Sequence, residues 1–529
     1  MARRMLEWLQ QNKAILFLII AEISVQIPFA LSGSFLSDEA TYTYASYTLG
    51  KGIVPYREIV LFHPPIGYLL LMLEVYLSGL SLFKLRLLNL LVFSVDLFIV
   101  YKVLKKIELV NGTALIAASI FSFLPTIMSY RLSSPLEFLF FTGFLYLSLY
   151  FYLGHVAYET HWLRLFIVGI FLGIATMIWL VGLLVLISIL TVDVIGFIIA
   201  RRRIKHQVLR VSSIIGGAVI VGLACLFVVT FVWNAFQQLM TQVVYYQSSI
   251  RSGLTLSQKL DLVSPSLYSL YLPLALGACG IAILILKARR AGFEKTITPI
   301  LLFLITFLLI MTVPKNPFGQ FFVFLVPLMS FFSAAAFTNL DFQNAKRISL
   351  GLLVLYLVIA GSAVPSMLNL WEGGGGHSFG GIDGYNLAEQ YIGSYLKNMT
   401  STSDMIWTSE GAIAFFADRL IVANNSTLWP YRAMYNDEFP CSYRGVFEQS
   451  NPGLKLVDSS EFIQSWDSSN VKVLVFIIGN GPVPYPDGLL WNGCSQMNGV
   501  RGWVQSNFHQ VKNFVFPNVA YEYSIWVRN

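Results

Sequence analysis

Charge is scarce in this chain of 529 residues: Asp, Glu, Lys and Arg together make up 12%, against 56% hydrophobic residues. Cysteine is scarcer still, with four in all, and no Cys/His group has the spacing of a zinc site. No internal repeat is visible. The N-terminal stretch 1–33 starts basic and runs into a long apolar segment without a small-residue cleavage signature, which excludes a removed signal peptide and leaves a retained signal-anchor with Met1 inside. The formal charge of +7 does not indicate nucleic acid, because the basic residues sit at the ends of apolar runs, where they report topology.

What is present in excess is apolar. Aromatics reach 15%, mean hydropathy is +0.67, and apolar runs of about twenty residues recur, where ~18 suffice to cross a bilayer. The chain reads as a polytopic α-helical membrane protein. Eleven spans are expected, near 14–32, 84–103, 112–130, 135–153, 164–180, 182–200, 209–232, 266–286, 298–313, 318–337 and 348–366. This arrangement puts 18 Lys/Arg inside and only eight outside before residue 367, the asymmetry of the positive-inside rule. Counting the apolar stretch 66–82 as a further span would turn every later basic cluster outward. It is therefore expected to be a re-entrant or interfacial helix on the outer face, within a first external loop of residues 33–83.

After Pro365 the composition changes. The glycine-rich "LWEGGGGHSFGG" is a hinge, and the tail beyond it is polar and rich in turns. Residues 1–366 thus form a membrane domain and 367–529 an extracytoplasmic one, the latter with 9 basic and 14 acidic residues against 26 and 14 in the rest. Helical spacing in "NLAEQYIGSYLKNM" followed by the β-rich runs "DMIWTS", "RLIVANN" and "VKVLVFIIGN" predicts a soluble α/β module. Cys441 and Cys494 lie in it, on the side where a bridge can form, while Cys225 and Cys279 lie in spans. Sequons at Asn398, Asn424 and Asn425 fall outside, and one at Asn111 falls inside.

Against this apolar background the stretch Ser37–Met72, "SDEATYTYASYTLGKGIVPYREIVLFHPPIGYLLLM", gathers Asp38, Glu39, Lys51, Arg57, Glu58 and His63. Two adjacent acids directly after the first span belong either to an ordinary solvated loop or to a functional site. Tyr42, Tyr44, Tyr47, Tyr56 and Phe62 speak for the second reading, as does Pro64-Pro65, which presets the entry of the next helix.

This loop resembles the first external loop of the GT-C glycosyltransferases that use polyprenyl-phosphate sugars, in particular the protein O-mannosyltransferase and aminoarabinose-transferase-like group (glycosyltransferase family 39-like). The matching pieces are Asp38-Glu39, Gly52-Ile53-Val54-Pro55-Tyr56, His63-Pro64-Pro65 and Arg86. Farther on, "SSPLEFLFFTGFLYLSLYFYL" and "PKNPFGQFFVFLVPLMSFFSAAAF" resemble the family's fourth span and its late lysine-then-aromatic span. The likeness covers most of the membrane part. Two departures stand out: His63 occupies the place of a lysine common in relatives, and Trp179, in "GIFLGIATMIWLVG", lies near another.

The resemblance implies transfer of a sugar, most simply mannose or another hexose, from a dolichyl- or polyprenyl-phosphate donor, with inversion. The acceptor would be an outer-face hydroxyl of a protein, a glycan or a glycolipid. Such chemistry needs a base for the acceptor proton and cations for the phosphate as charge builds on the leaving group. Asp38 is the expected base with Glu39 beside it, and the two roles are interchangeable on pattern alone. Arg86, His63, Arg57 and Lys315 are the expected phosphate ligands. Glu137, Tyr42 and Tyr56 are expected to bind substrate. No metal or other cofactor is indicated, and membrane lipids are the remaining partner. Glu22, Asp96 and Asp193 fall within spans away from the outer face. The segment 234–265 reads as a lid or as an amphipathic surface element. An oligosaccharyltransferase is disfavoured because the tail offers only Trp466-Asp467 in place of that group's Trp-Trp-Asp-Tyr-Gly-type motif. A transporter or lipid flippase is the competing class; it would place its charges at the bilayer midplane and not on one face.

Overall fold

Apolar runs of this length in a chain so poor in charge close their backbone hydrogen bonds within each segment, and helices dominate. The computed structural model describes residues 2–31, 37–59, 61, 63–107, 112–123, 136–153, 162–200, 204–245, 257, 271–291, 293–313, 325–336, 351, 382–408, 411–420, 459–469, 471–479, 498–515 and 521–529. In chain order the first helices are α1 (Ala2–Leu31), α2 (Ser37–Gly50), α3 (Pro65–Ser78), α4 (Leu82–Ile107) and α5 (Thr113–Phe123). A π-helical turn, Leu136–Phe141, leads into α6 (Thr142–Leu153). Then come α7 (Trp162–Thr176), α8 (Gly182–Ala200) and α9 (Ile204–Phe227), which continues as a π-turn to Val232. The short α10 (Phe236–Leu239) runs into a third π-turn, Met240–Tyr245. The bundle continues with α11 (Tyr271–Ala291), α12 (Phe293–Thr312) and α13 (Val326–Ala335).

Ten of the eleven expected spans coincide at least in part with these helices; the eleventh, 348–366, lies outside the described residues apart from position 351. Among the described residues, Leu82–Ile107, Gly182–Ile199 and Ile204–Val232 are long and apolar enough to cross a membrane. α4 is a hub, packed against α1, α3, α5 and α6. Its buried side chains recur at three- and four-residue intervals from Leu82 to Ile107, and Arg86, Asn89 and Asp96 belong to that inward stripe. α7 and α9 approach most closely where Gly169 and Gly173 face Ile214, Gly217 and Ala218. A methyl group at Gly169 would run into the Ile214 carbonyl, the small-residue contact typical of helices in lipid.

The first external loop is more ordered than a loop. Residues 37–50 form α2, which is buried from Glu39 to Leu49 apart from the half-buried Thr41. Its tyrosines are distributed round the helix, so no face is left for water. The acids in its first turn suit the positive end of the helix dipole, and Gly52 at φ +88° takes the chain out beyond its end. α3 begins with Pro65 as its first residue and Pro64 before it, the position where proline's missing N–H costs nothing. At 14 residues it falls short of the ~20 that a span requires.

The C-terminal part contains α14 (Ile382–Met399), β1 (Ile406–Thr408), α15 (Gly411–Ala417), α16 (Ser459–Ser468), β2 (Val473–Gly479), α17 (Asn498–Asn507), β3 (Phe508–Val515) and β4 (Tyr521–Arg528). The strands form one sheet in the order β1-β2-β4-β3, with β1 parallel to β2 and the other pairs antiparallel. β1, β2 and α14 follow the segments expected from the sequence, whereas β3 and β4 were not anticipated. Trp466 packs on Trp407 at 4.9 Å between ring centres, and Asp467 pairs with Arg528. Trp466 thus belongs to the domain's own core, and Asp467 to an ion pair on its surface. "RLIVANN" past Leu420, the boundary at 366, and Cys441 and Cys494 all lie outside the described residues.

Candidate functional site

The acid pair sits in the first turn of α2. Glu39 is fully buried, and so is Arg86, one turn into α4. Arg86 Nε donates to Glu39 Oε1 at 2.9 Å and Arg86 Nη2 to Glu39 Oε2 at 2.7 Å, a fork-to-fork pair. Two ions out of water hold together only when matched this well, and removing one would strand the other at a cost of about 3–5 kcal/mol. Two nitrogens of the guanidinium expected to grip a lipid phosphate are therefore engaged by Glu39. The backbone of Asp38 lies in the same turn of α2; its side chain is outside the described residues.

His63 is buried at the entry to α3. Its Nε2 lies 2.9 Å from the Tyr42 hydroxyl, and its ring meets those of Tyr42 at 5.4 Å and Trp179 at 6.5 Å, both edge to face. Positions 63 and 179, where the resemblance leads to an expectation of lysines, are thus in ring contact as a histidine and a tryptophan. Tyr56 is buried as well, and its hydroxyl donates to the His63 carbonyl at 2.9 Å. Tyr42 and Tyr56, expected to bind substrate, brace the histidine from its ring and its backbone. Burial pushes the Tyr56 phenol well above its ordinary pKa, which keeps that hydroxyl a donor.

Tyr56 also has φ +62°, a backbone state that a bulky residue adopts only when its surroundings enforce it. The enforcing group is Gln242, from the π-turn after α10. Its Nε2 donates to the Tyr56 carbonyl at 2.8 Å, and its Oε1 accepts from the Leu61 N–H at 3.0 Å. At the other side, the Ile66 N–H donates to the Met177 carbonyl at 3.1 Å, so the start of α3 is tied to the turn between α7 and α8. Gln242 carries no motif; its only signal in the sequence is its place in the segment 234–265, whose described part is seated on the first external loop.

Arg57 is 40% exposed and pairs with Glu58 at 2.8 Å. The Val54 N–H and then Arg57 hold the Glu58 carboxyl below its usual pKa, against a small opposing effect of burial. Glu137 occupies the π-turn before α6 with its side chain outside the described residues, and Lys315 lies outside them altogether. Asp193 is bound by Arg210 and Gln207 within α8 and α9, a structural pair away from the acids of α2. Glu22 and Asp96 are buried in α1 and α4. Cys225 and Cys279 are free thiols.

No family model and no curated protein sequence matches the chain. Solved structures do. ArnT from Cupriavidus metallidurans, bound to undecaprenyl phosphate, aligns with a TM-score of 0.61 at 12% identity, over 97% of this chain and 98% of that one. Arabinofuranosyltransferase AftD from Mycobacteria aligns at 0.54 and 11% identity over 98% of this chain and 40% of that one. The Archaeoglobus fulgidus oligosaccharyltransferase in its apo form gives 0.50 and 13%, over 95% and 74%. These three are GT-C superfamily glycosyltransferases, and the fold of this chain is the GT-C fold. The ArnT likeness extends through the C-terminal domain, where sequence resemblance was weak.

Proposed function

We propose that the chain is a membrane glycosyltransferase of the GT-C class, moving a sugar from a dolichyl- or polyprenyl-phosphate donor to a hydroxyl at the outer face. The observation that carries this reading is the acid pair in the first turn of a buried helix of a GT-C fold, with Glu39 locked to Arg86. The match to a structure bound to undecaprenyl phosphate supports a donor of that kind. Mannose or another hexose is the simplest sugar, and a protein, a glycan or a glycolipid is the acceptor.

In this scheme the acceptor oxygen attacks the anomeric carbon from the side opposite the phosphate, which inverts the configuration. The bond from that carbon to the phosphate oxygen breaks, and the acceptor proton passes to a carboxylate. Glu39 is poorly suited to that task, because both its oxygens accept from Arg86 and the ion pair disfavours protonation. Asp38 is the base. The leaving lipid phosphate gains a negative charge as the diester becomes a monoester, so cations nearby count most in the transition state. Arg57 and Lys315 supply them, and His63 adds a ring N–H donor, charged or neutral. Arg86 acts on the reaction through Glu39.

The test uses the full-length protein in liposomes with radiolabelled polyprenyl-phosphate mannose and a Ser/Thr peptide or a membrane glycolipid fraction. Labelled acceptor of inverted configuration, released together with polyprenyl phosphate, is the expected product. Movement of intact labelled lipid across the bilayer with no transfer would replace this reading by the flippase one.

A further inference from the structure

The C-terminal end of α2 meets the outer domain. The Asp418 Oδ1 accepts from the Tyr47 hydroxyl at 2.7 Å and pairs with Lys51 Nζ at 3.1 Å. The Phe415 ring stands edge to face on Tyr47 at 5.8 Å, and Lys51 Nζ lies 5.2 Å from the centre of the Tyr47 ring. On the outer-domain side this contact is rigid. Asp418 takes φ +55°, and the buried Arg419 holds the Asp418 carbonyl at 2.9 Å, the Lys397 carbonyl at 3.2 Å and the Thr400 hydroxyl at 2.8 Å. Behind it, α15 presses on α14 so closely that a methyl group at Gly393 would strike Phe416.

At its other end α2 is held by Glu39 and Arg86, eight residues or ~12 Å of helix away from Tyr47. A 14-residue helix is marginal by itself and takes its order from its contacts. We infer that the outer domain is the second anchor of the acid-bearing helix: Asp418, through Tyr47 and Lys51, fixes the far end of α2 and so positions Asp38 and Glu39 for transfer. The inference rests on the glycosyltransferase reading above and assigns the outer domain a part in it. Asp418 touches neither donor nor acceptor in this scheme and is a positioning residue. The coupling also gives a route by which an acceptor seated on the outer domain would be sensed at the acids.

Asp418→Asn keeps a residue that tolerates the left-handed backbone but removes the charge that Lys51 and Tyr47 address, while Tyr47→Phe removes only the hydroxyl. In full-length protein in liposomes, both variants are expected to lose roughly 10–100-fold in kcat for transfer from polyprenyl-phosphate mannose, the scale of a small misplacement of reacting groups. The KM for the donor and the affinity for undecaprenyl phosphate are expected to stay at wild-type values. Hydrogen exchange is expected to rise at residues 411–420 and also at 37–44, at the remote end of α2. Residues 37–44 keeping their wild-type protection would overturn the inference, and so would an opened 37–44 with wild-type kcat. If the wild-type protein transfers no sugar, it is the glycosyltransferase reading that falls. Exchange at 37–44 then still decides whether the outer domain orders the helix.

Discussion

Asp38 and Glu39 are neighbours with different parts in the proposed scheme. Glu39 is enclosed with Arg86 at full burial, so its first duty is to hold α2 onto α4. The acid pair and the histidine before two prolines stand out by residue type against an apolar background, and Arg86 through the resemblance. The Glu39–Arg86 pairing is not legible there, because the partners are 47 residues apart and an arginine expected near a phosphate looks the same as one that binds a carboxylate. The consequence is a separation of phenotypes. Asp38→Asn should lower transfer by about 10²–10⁴-fold, the worth of a positioned base, with thermal stability unchanged. Glu39→Ala and Arg86→Ala should each cost about 3–5 kcal/mol of stability, because each strands a buried charge, and their melting temperatures should fall while that of Asp38→Asn does not. Asp38→Asn with wild-type turnover would remove the base assignment.

At the scale of elements, the first external loop is a small folded unit. α2 stands out in the sequence by residue type but not as a helix, because tyrosines at 42, 44 and 47 with Thr43, Ala45 and Ser46 between them give neither a period of 3.6 nor one of 2. What orders it is tertiary: α3 packs along it, and the turn 51–64 is tied down by Gln242, 181 residues from the Leu61 amide it binds. No local signal could announce that contact, since a lone glutamine in a polar connection looks solvated. Replacing Gln242 with leucine keeps the volume and removes both bonds, leaving a buried N–H at Leu61 and a buried carbonyl at Tyr56. Each unsatisfied group costs about 1–3 kcal/mol. The Leu61 amide should then exchange markedly faster than in the wild type, and a Leu61 amide as protected as before would show that the π-turn merely rests on the loop.

The whole molecule joins two bodies of opposite charge, a basic membrane part and an acidic tail. The change of composition at the glycine run marks that division in the sequence; how the two parts meet is not legible there, since Tyr47 and Asp418 are 371 residues apart. The distribution of basic clusters predicts Lys105 inside and the tail outside. Cysteines introduced at Lys105 and Ser403 in a background without native thiols should therefore label from opposite sides of sealed vesicles; labelling of both from outside would mean that residues 66–82 cross the membrane. The contact between the bodies also has a defined response to pH. Burial pushes the Asp418 carboxyl up, but the hydrogen bonds from Tyr47 and Lys51 and the charges of Lys51 and Lys397 outweigh it and hold its pKa below the usual value. A carboxylate whose pKa is depressed on docking contributes stability that is fully present above its free pKa, ~3.9, and lost as pH falls through the depressed value. Docking should thus be indifferent to pH between neutrality and about 5, and weaken only below about 4. Hydrogen exchange or proteolysis at residues 411–420 followed from pH 7 to pH 3 should show this loss in the wild type. In Asp418→Asn the contact should already be open at pH 7 and no longer respond, whereas a variant that undocks with the same acid midpoint as the wild type would place the titrating group elsewhere.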